Sequence, residues 1–207
     1  GMTSASSCLN CPAGTSNDRT GRAACITCRA GSYCVAGSVD PTYCPDGYYG
    51  TATGATTSAT CQACAAGSYS QYGQSPCMLC DPGKFSPVAA PVCTLCPAGK
   101  FAGGLGEATC SDCPVGTYSD EVGAFGPCTT CVAGKYGTVV AATDSGTCVS
   151  CVGGKYSTTV AAGSSAACVN CPVGTYSSFV GANNPDECTN CPRGMTSSPG
   201  SHGAGTS

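Results

Sequence analysis

The chain has no Trp, a single His, and only 8 Lys and Arg against 11 Asp and Glu in 207 residues. Leu, Ile, Val and Phe together supply just 24 of those 207, too few to bury an ordinary core. Disorder would need high charge as well, and charged residues are only 9% with a net charge of −3. No Lys/Arg cluster exists to meet a phosphate backbone, so nucleic acid is not an expected partner. No apolar run approaches the roughly 20 residues that cross a bilayer, so no membrane-spanning segment is expected in this stretch. Asn-x-Ser/Thr is absent, which removes any N-linked glycan acceptor. No signal peptide is visible and the first residue is Gly1, so a processed or partial chain is expected, its export signal lying outside this sequence.

What the chain has in quantity is Cys (22), Gly (30) and small hydroxyl residues (24 Ser and 24 Thr). Cysteine at about one residue in nine marks a covalent scaffold in a secreted chain, with cross-links supplying the stability that a missing core cannot.

The cysteines are periodic. Cys-x-x-Cys occurs ten times, opening at Cys8, Cys25, Cys61, Cys77, Cys93, Cys110, Cys128, Cys148, Cys168 and Cys188; only Cys34 and Cys44 stand apart. From Cys61 the opening cysteines step by 16, 16, 17, 18, 20, 20 and 20 residues, and the step of 36 before Cys61 holds a modified double unit. Three residues after the second cysteine of each pair, and after Cys44, stands Gly: Gly14, Gly31, Gly47, Gly67, Gly83, Gly99, Gly116, Gly134, Gly154, Gly174 and Gly194. Two further on stands an aromatic in all but the first and last units, from Tyr33 to Tyr176, often followed by Ser. Later units add Val and a small residue, as in Val122-Gly123, Val140-Ala141, Val160-Ala161 and Val180-Gly181.

Such a repeat must be read first, because it decides the architecture. Cys-Pro-x-Gly is turn chemistry: Pro presets φ, and Gly takes positive φ at no steric cost. The aromatic-Ser step is expected to begin a short extended segment, the Gly/Ala-rich middle to be a loop, and the approach to the next Cys-x-x-Cys to be the returning strand. Each unit is then a small β-hairpin with one aromatic and one disulfide as its whole core, unstable alone and stabilised by stacking. The expected fold is small, disulfide-rich and mostly β or irregular, with tandem short hairpins stacked into an elongated rod. Residues 1–27 form a partial and a first repeat, 28–63 an irregular double repeat, 64–191 seven tandem repeats of 16–20 residues, and 192–207 the start of a truncated further repeat.

The phrase C-x-x-C-P-x-G-x-Y-S…G…C-x-x-C, spanning residues 8 to about 194, resembles the ephrin-receptor-like cysteine-rich repeat. It is also similar to the first loop module of tumour-necrosis-factor-receptor cysteine-rich domains. Repeats of this kind are common in surface proteins of algae and other protists, so the resemblance implies such an origin. It also implies a pairing, since the resembling receptor module joins the second cysteine of one pair to the first of the next. Carried over, this gives Cys11–Cys25, Cys44–Cys61, Cys64–Cys77, Cys80–Cys93, Cys96–Cys110, Cys113–Cys128, Cys131–Cys148, Cys151–Cys168 and Cys171–Cys188, and leaves Cys28–Cys34 within the double unit. A closed loop of about 15 residues is worth roughly 3 kcal/mol on the chain-entropy account. Two cysteines remain, Cys8 and Cys191. GMTS stands at residues 1–4 and again at 194–197, at the same phase of the repeat. The expectation is therefore a window of a longer array, with both cysteines bonding to repeats outside it. If the window is a whole subunit, Cys191 of one copy bonds to Cys8 of the next and generates an open filament.

Other chemistry fits these residues less well. Ten Cys-x-x-Cys pairs could build five four-sulfur zinc sites. Zinc modules alternate unlike linkers, however, whereas every interval here carries the same Gly-aromatic phrase, which favours disulfides; no cofactor is expected. No thioredoxin-like βαβ pattern surrounds a pair. His202 lies in a Gly/Ser tail, and the acidic pairs Asp120-Glu121 and Asp186-Glu187 fall in loops as solvated charge. No Asp-x-Asp-x-Asp/Asn run offers a calcium loop. Lys84, Lys100, Lys135 and Lys155 recur just before the aromatic, either as solvation of a turn or as a spaced row. Ser/Thr-rich segments with Pro are the composition of O-glycosylated stalks. The candidate acceptors are Thr51, Thr53, Thr56, Thr57, Ser58, Thr60, Ser75, Ser86 and Ser198.

The expected function is therefore structural and not enzymatic. An exported, O-glycosylated stalk or filament of the cell surface, such as a fibre, a coat or a flagellar hair, would have as partners further repeats of a longer chain or other copies of itself, and covalent glycans. The alternative is a ligand-binding or adhesive receptor ectodomain, its contact surface in the irregular stretch from Cys28 to Cys61 around Tyr43, Tyr48 and Tyr49.

Overall fold

A computed structural model of the chain describes residues 8–203. It divides into two compact units, Gly1–Leu95 with Gly104–Thr109, and Cys96–Gly103 with Cys110–Ser207. Within each, the described residues form one element over and over: a two-stranded antiparallel sheet of two residues per strand.

The hairpin opened by Cys131 shows how the sequence builds it. Gly134 sits at φ +82°, and the Lys135 N–H donates to the Val132 carbonyl (3.1 Å). This is a turn with glycine at its third position, where only positive φ closes it. Lys135–Tyr136 then pairs with Val149–Ser150, Lys135 opposite Ser150 and Tyr136 opposite Val149. The Cys151 N–H closes the ladder onto the Gly134 carbonyl (2.9 Å). The Cys131–Cys148 bridge clamps the strand ends at a Cα separation of 5.6 Å. The returning strand thus lies inside the Cys-x-x-Cys motif, as its two middle residues, and not in the approach to it as the sequence pattern implied. Fixing it between two cysteines leaves the loop ahead free to vary in length. The four loops with a cysteine separation of 17 take up their extra residues as one 3₁₀ turn before the closing cysteine: Ser58–Thr60, Ser145–Thr147, Ser165–Ala167 and Pro185–Glu187. Asp144 caps the second of these, its carboxylate accepting from the Gly146 N–H (2.7 Å). Asn184 caps the last through the Asp186 N–H (2.8 Å).

The interior corrects a second expectation. The aromatics from Tyr33 to Tyr176 are only half-buried. What is fully enclosed is sulfur and small side chains. The cysteine opening each disulfide-bridged hairpin is buried, and in many of them so are the residue six positions on (Ser70, Ser86, Ala102, Ser119, Ser157, Ser177) and an alanine further along (Ala55, Ala90, Ala124, Ala142, Ala162, Ala182). The hairpins approach so closely that no large side chain fits between them, and the tyrosines are pushed to the flank.

The double unit is two hairpins, Ser32–Tyr33 with Thr42–Tyr43 and Tyr48–Tyr49 with Gln62–Ala63. In the first, Pro41 occupies the position of the first cysteine of a pair. The bridge runs instead from Cys28 to Cys34 (Cα separation 6.3 Å). Cys34 fills the slot that serine or alanine fills elsewhere, and is itself fully buried.

Candidate functional site

The chemistry of this chain is concentrated in the junction between one hairpin and the next, which is made of backbone and repeats with little change. The Gly134 N–H donates to the Ser157 carbonyl (2.8 Å), the Ser157 N–H to the Ala182 carbonyl (3.0 Å), and the Gly181 N–H to the Cys151 carbonyl (2.7 Å). One hairpin earlier the same three bonds run from Gly116 to Gly137 (2.8 Å), Gly137 to Ala162 (2.9 Å) and Ala161 to Cys131 (2.9 Å). In the other unit they run from Gly47 to Ser70 (2.7 Å), Ser70 to Ala90 (3.4 Å) and Ala89 to Cys64 (2.9 Å). Tyr136 and Tyr156 form parallel bridges to Ala162 and Ala182 of the following hairpin. Because these bonds use only main chain, they join any two units that present the same geometry.

That geometry needs the small residue after the recurrent Val. Gly123 and Gly181 have φ near +80°, and Ala89, Ala141 and Ala161 hold φ of 58°, 55° and 57°, a region that disfavours any Cβ. The sequence pattern shows the small residue without a reason for it; it is the donor that reaches back to the cysteine carbonyl. The valines ahead of it, Val122, Val140, Val160 and Val180, are exposed.

Ten cystines are present: Cys11–Cys25, Cys28–Cys34, Cys44–Cys61, Cys64–Cys77, Cys80–Cys93, Cys96–Cys110, Cys113–Cys128, Cys131–Cys148, Cys151–Cys168 and Cys171–Cys188. Cys8 is an exposed thiol and Cys191 a half-buried one. The hairpin opened by Cys191 docks on its neighbour without a bridge of its own, through Gly174 N–H to Ser197 (3.3 Å) and Gly200 N–H to Cys171 (3.1 Å).

The hydroxyl candidates separate by exposure. Thr51, Thr53, Thr56, Thr57, Ser58 and Ser198 are exposed, and Thr60 and Ser75 half-buried. Ser86 is fully buried and donates to the Ser68 carbonyl (3.1 Å). It cannot carry a sugar, because its hydroxyl lies between two hairpins with no room for a substituent; Ser86 is a packing residue.

Of the three tyrosines singled out in the irregular stretch, Tyr48 is exposed and Tyr49 is half-buried, its hydroxyl donating to Gln62 (3.3 Å). Tyr43 centres a cluster: Arg29 donates to its hydroxyl (2.8 Å) with the guanidinium 4.9 Å from its ring centroid, and Tyr72 lies 4.9 Å away, tilted by 52°. Lys84 pairs with Asp81 (3.4 Å) and Lys100 with Asp112, whereas Lys135 and Lys155 face Ser150 and Asn170 across their hairpins. His202 is exposed in the tail. A concavity of about 200 Å³ lies beside Asp120, Glu121 and Phe125, and one of about 180 Å³ beside Tyr69, Asp81 and Lys84. Both fall short of the roughly 300 Å³ at which ligand pockets begin. Among the described residues no group of three or more His, Cys, Asp or Glu side chains could hold a metal ion, and no helix is long and apolar enough to cross a membrane.

A family model described as tyrosine-protein kinase ephrin type A/B receptor-like matches residues 83–126, 99–145 and 137–188. The overlapping matches take in residues 83–188, more than half of the chain, and begin and end within the tandem hairpins described above. No curated protein matches the chain.

Proposed function

The chain belongs to the ephrin type A/B receptor-like cysteine-rich repeat family, and from that premise we propose that it is an extracellular structural protein, a stalk or filament of the cell surface such as a fibre, coat or flagellar hair. The observation that carries this reading is the sameness of the junctions. The main-chain bonds that join Gly116 to Gly137 and Gly134 to Ser157 return along the chain, and among the described residues no hairpin is set apart by a group of His, Cys, Asp or Glu that could hold a metal ion. A protein that repeats one contact gains length from each copy of it. Ten disulfides among short hairpins belong to an oxidising compartment. The exposed hydroxyls from Thr51 to Ser58 and at Ser198 support O-glycosylation of the loops. Its partners are further repeats of the same kind, in the same chain or in other copies of it.

Electron microscopy of the native material, with non-reducing peptide mapping of Cys8 and Cys191, tests the proposal. Long uniform fibres with both cysteines engaged are expected. Isolated short particles that retain a soluble ligand would overturn it and point to a ligand-binding ectodomain.

A further inference from the structure

The cystines do more than close hairpins; they decide which part of the chain carries tension. From Cys8 the covalent path crosses two residues to Cys11, passes through the bridge to Cys25, crosses two more to Cys28, and continues in this way to Cys191. Each bridge joins the two ends of a loop, so the loop lies outside the path. The 13 to 17 positions between bridged cysteines, as in Cys64–Cys77 and Cys151–Cys168, cannot be drawn out while the disulfides are intact.

One hairpin breaks the rule. Because Pro41 stands where a first cysteine would, the Cys28 bridge ends at Cys34, a separation of only 6. Residues 35–43 have no covalent bypass before Cys44 opens the next bridge. That segment is held by non-covalent bonds alone. Ser32 and Tyr33 pair with Tyr43 and Thr42, the Cys44 N–H donates to Gly31 (2.8 Å), and the Gly37 N–H donates to Cys11 (2.8 Å). Arg29 and Tyr72, both outside this segment, grip its last residue, Tyr43. The Tyr43 ring also packs on Gly73, where it occupies the place a side chain would take.

We propose that the hairpin from Cys28 to Cys44 is a tension-releasable link in an otherwise covalently shortened chain, with Tyr43 as its latch. Under load it opens before any disulfide breaks and releases residues 35–43, and it closes again when load is removed, because no covalent bond has changed. This concerns the response of the molecule to force, and it stands or falls independently of the surface-fibre reading.

Single-molecule stretching of this 207-residue chain with its ten bridges formed provides the test, Cys8 and Cys191, free within it, being capped by maleimide handles before they can bond to another copy. Ten peptide steps from Cys34 to Cys44 span at most about 35 Å when extended. One reversible step within that limit is expected, and traces without a step, or with a longer one, would overturn the proposal. Pro41→Cys combined with Cys34→Ser restores the bridging pattern of the other hairpins, at the separation of 13 found for Cys64–Cys77. It removes seven peptide steps from the load path and shortens the fully extended chain by about 25 Å, with loss of the step. Persistence of the step in this variant, once peptide mapping shows Cys28 bridged to the introduced thiol, refutes the assignment. Tyr43→Ala is expected to lower the opening force at unchanged step size; an unchanged force refutes the latch.

Discussion

Gly134 lies against the carbonyl of Gly181, which belongs not to the next hairpin but to the one after it. The relationship recurs between Gly116 and Ala161, Gly47 and Ala89, and Gly31 and Gly73. In every case a Cβ on the first glycine would overlap the carbonyl of the second residue. Each of these hairpins therefore touches its neighbour and its neighbour's neighbour, which couples them more strongly than the nearest-neighbour contacts usual in repeat proteins.

Gly134→Ala tests that coupling. Alanine at φ +82° costs about 1–2 kcal/mol in backbone strain alone, and its methyl group must also displace the Gly181 carbonyl. Faster amide exchange is expected at Gly134 and also at Gly181 and Cys188, in the hairpin two units on. Gly126→Ala, where no atom lies within 4 Å of the added methyl, is the control and should stay within about 0.5 kcal/mol of the parent. Exchange that rises only between Cys131 and Cys148 would show that the second-neighbour contact carries no energy.

Ala161 holds φ of 57° to bring its N–H onto the Cys131 carbonyl (2.9 Å). Glycine there would relieve about 1–2 kcal/mol of strain and give back roughly 0.5–1 kcal/mol in unfolded-chain entropy. Ala161→Gly is therefore expected to stabilise by several tenths of a kcal/mol, and Ala141→Gly likewise, read as a higher thermal midpoint. A lower midpoint for both would show that the alanine methyl groups contribute packing that outweighs the strain.

The hairpin and its repetition could be read from sequence because the residues that set its geometry are rare types at fixed spacing. A glycine three residues after every second cysteine can hardly be anything but a turn. The interior could not be read, because its side chains are the commonest and smallest ones. Ala142, Ala162 and Ser157 look like loop filler until hairpins are laid on one another. Tyr136 draws attention as a core residue by size, yet the approach of the backbones leaves no volume for it. The strand position is hidden for a related reason: the residues between two cysteines, such as Val149–Ser150, are too few to show a period. Ser86 looks like a sugar acceptor beside Pro87 because neither exposure nor the bond to Ser68 is written in a dipeptide.

This inverted interior makes a specific contrast. Ala142 is 3% exposed and lies between hairpins. Ala142→Leu should cost about 1–3 kcal/mol by overpacking and disturb both flanking units. Tyr136→Ala removes a half-buried ring from the flank and should cost less than the roughly 3–5 kcal/mol of a core aromatic. Chemical denaturation of the two variants compares them directly; a Tyr136→Ala loss in the full core range would return the aromatic to the centre of the hairpin.

The exposed loop at Thr51 to Thr60 and the buried hydroxyl of Ser86 give opposite expectations for the same modification. Peptide mapping of native material should find sugar on peptides covering Thr51–Thr60, whose hydroxyls are largely exposed, and none on the peptide holding Ser86. A sugar on Ser86 would require the Ser68–Ser86 contact to be open in the native protein, and unmodified peptides across Thr51–Thr60 would remove glycosylation of that loop.

Loss of one bridge should be felt locally but not only in its own hairpin. With two-residue strands and no large side chain enclosed, the hairpin from Cys151 has little but its cystine and its junctions to hold it. Replacing Cys151 and Cys168 by Ser removes a cross-link of separation 17, worth about 3 kcal/mol on the loop-entropy account, and leaves two buried hydroxyls where sulfur filled the space. The loop between them should become the first site of proteolytic cleavage. The Gly181 N–H, which donates to the Cys151 carbonyl, should lose protection from exchange, and so should Gly134, whose partner is Ser157. Hairpins from Cys64 to Cys93 should keep their parent exchange rates, since none of their junctions passes through residue 151. Collapse of protection along the whole chain would mean that the cystines act together and that the hairpin is not the unit of stability.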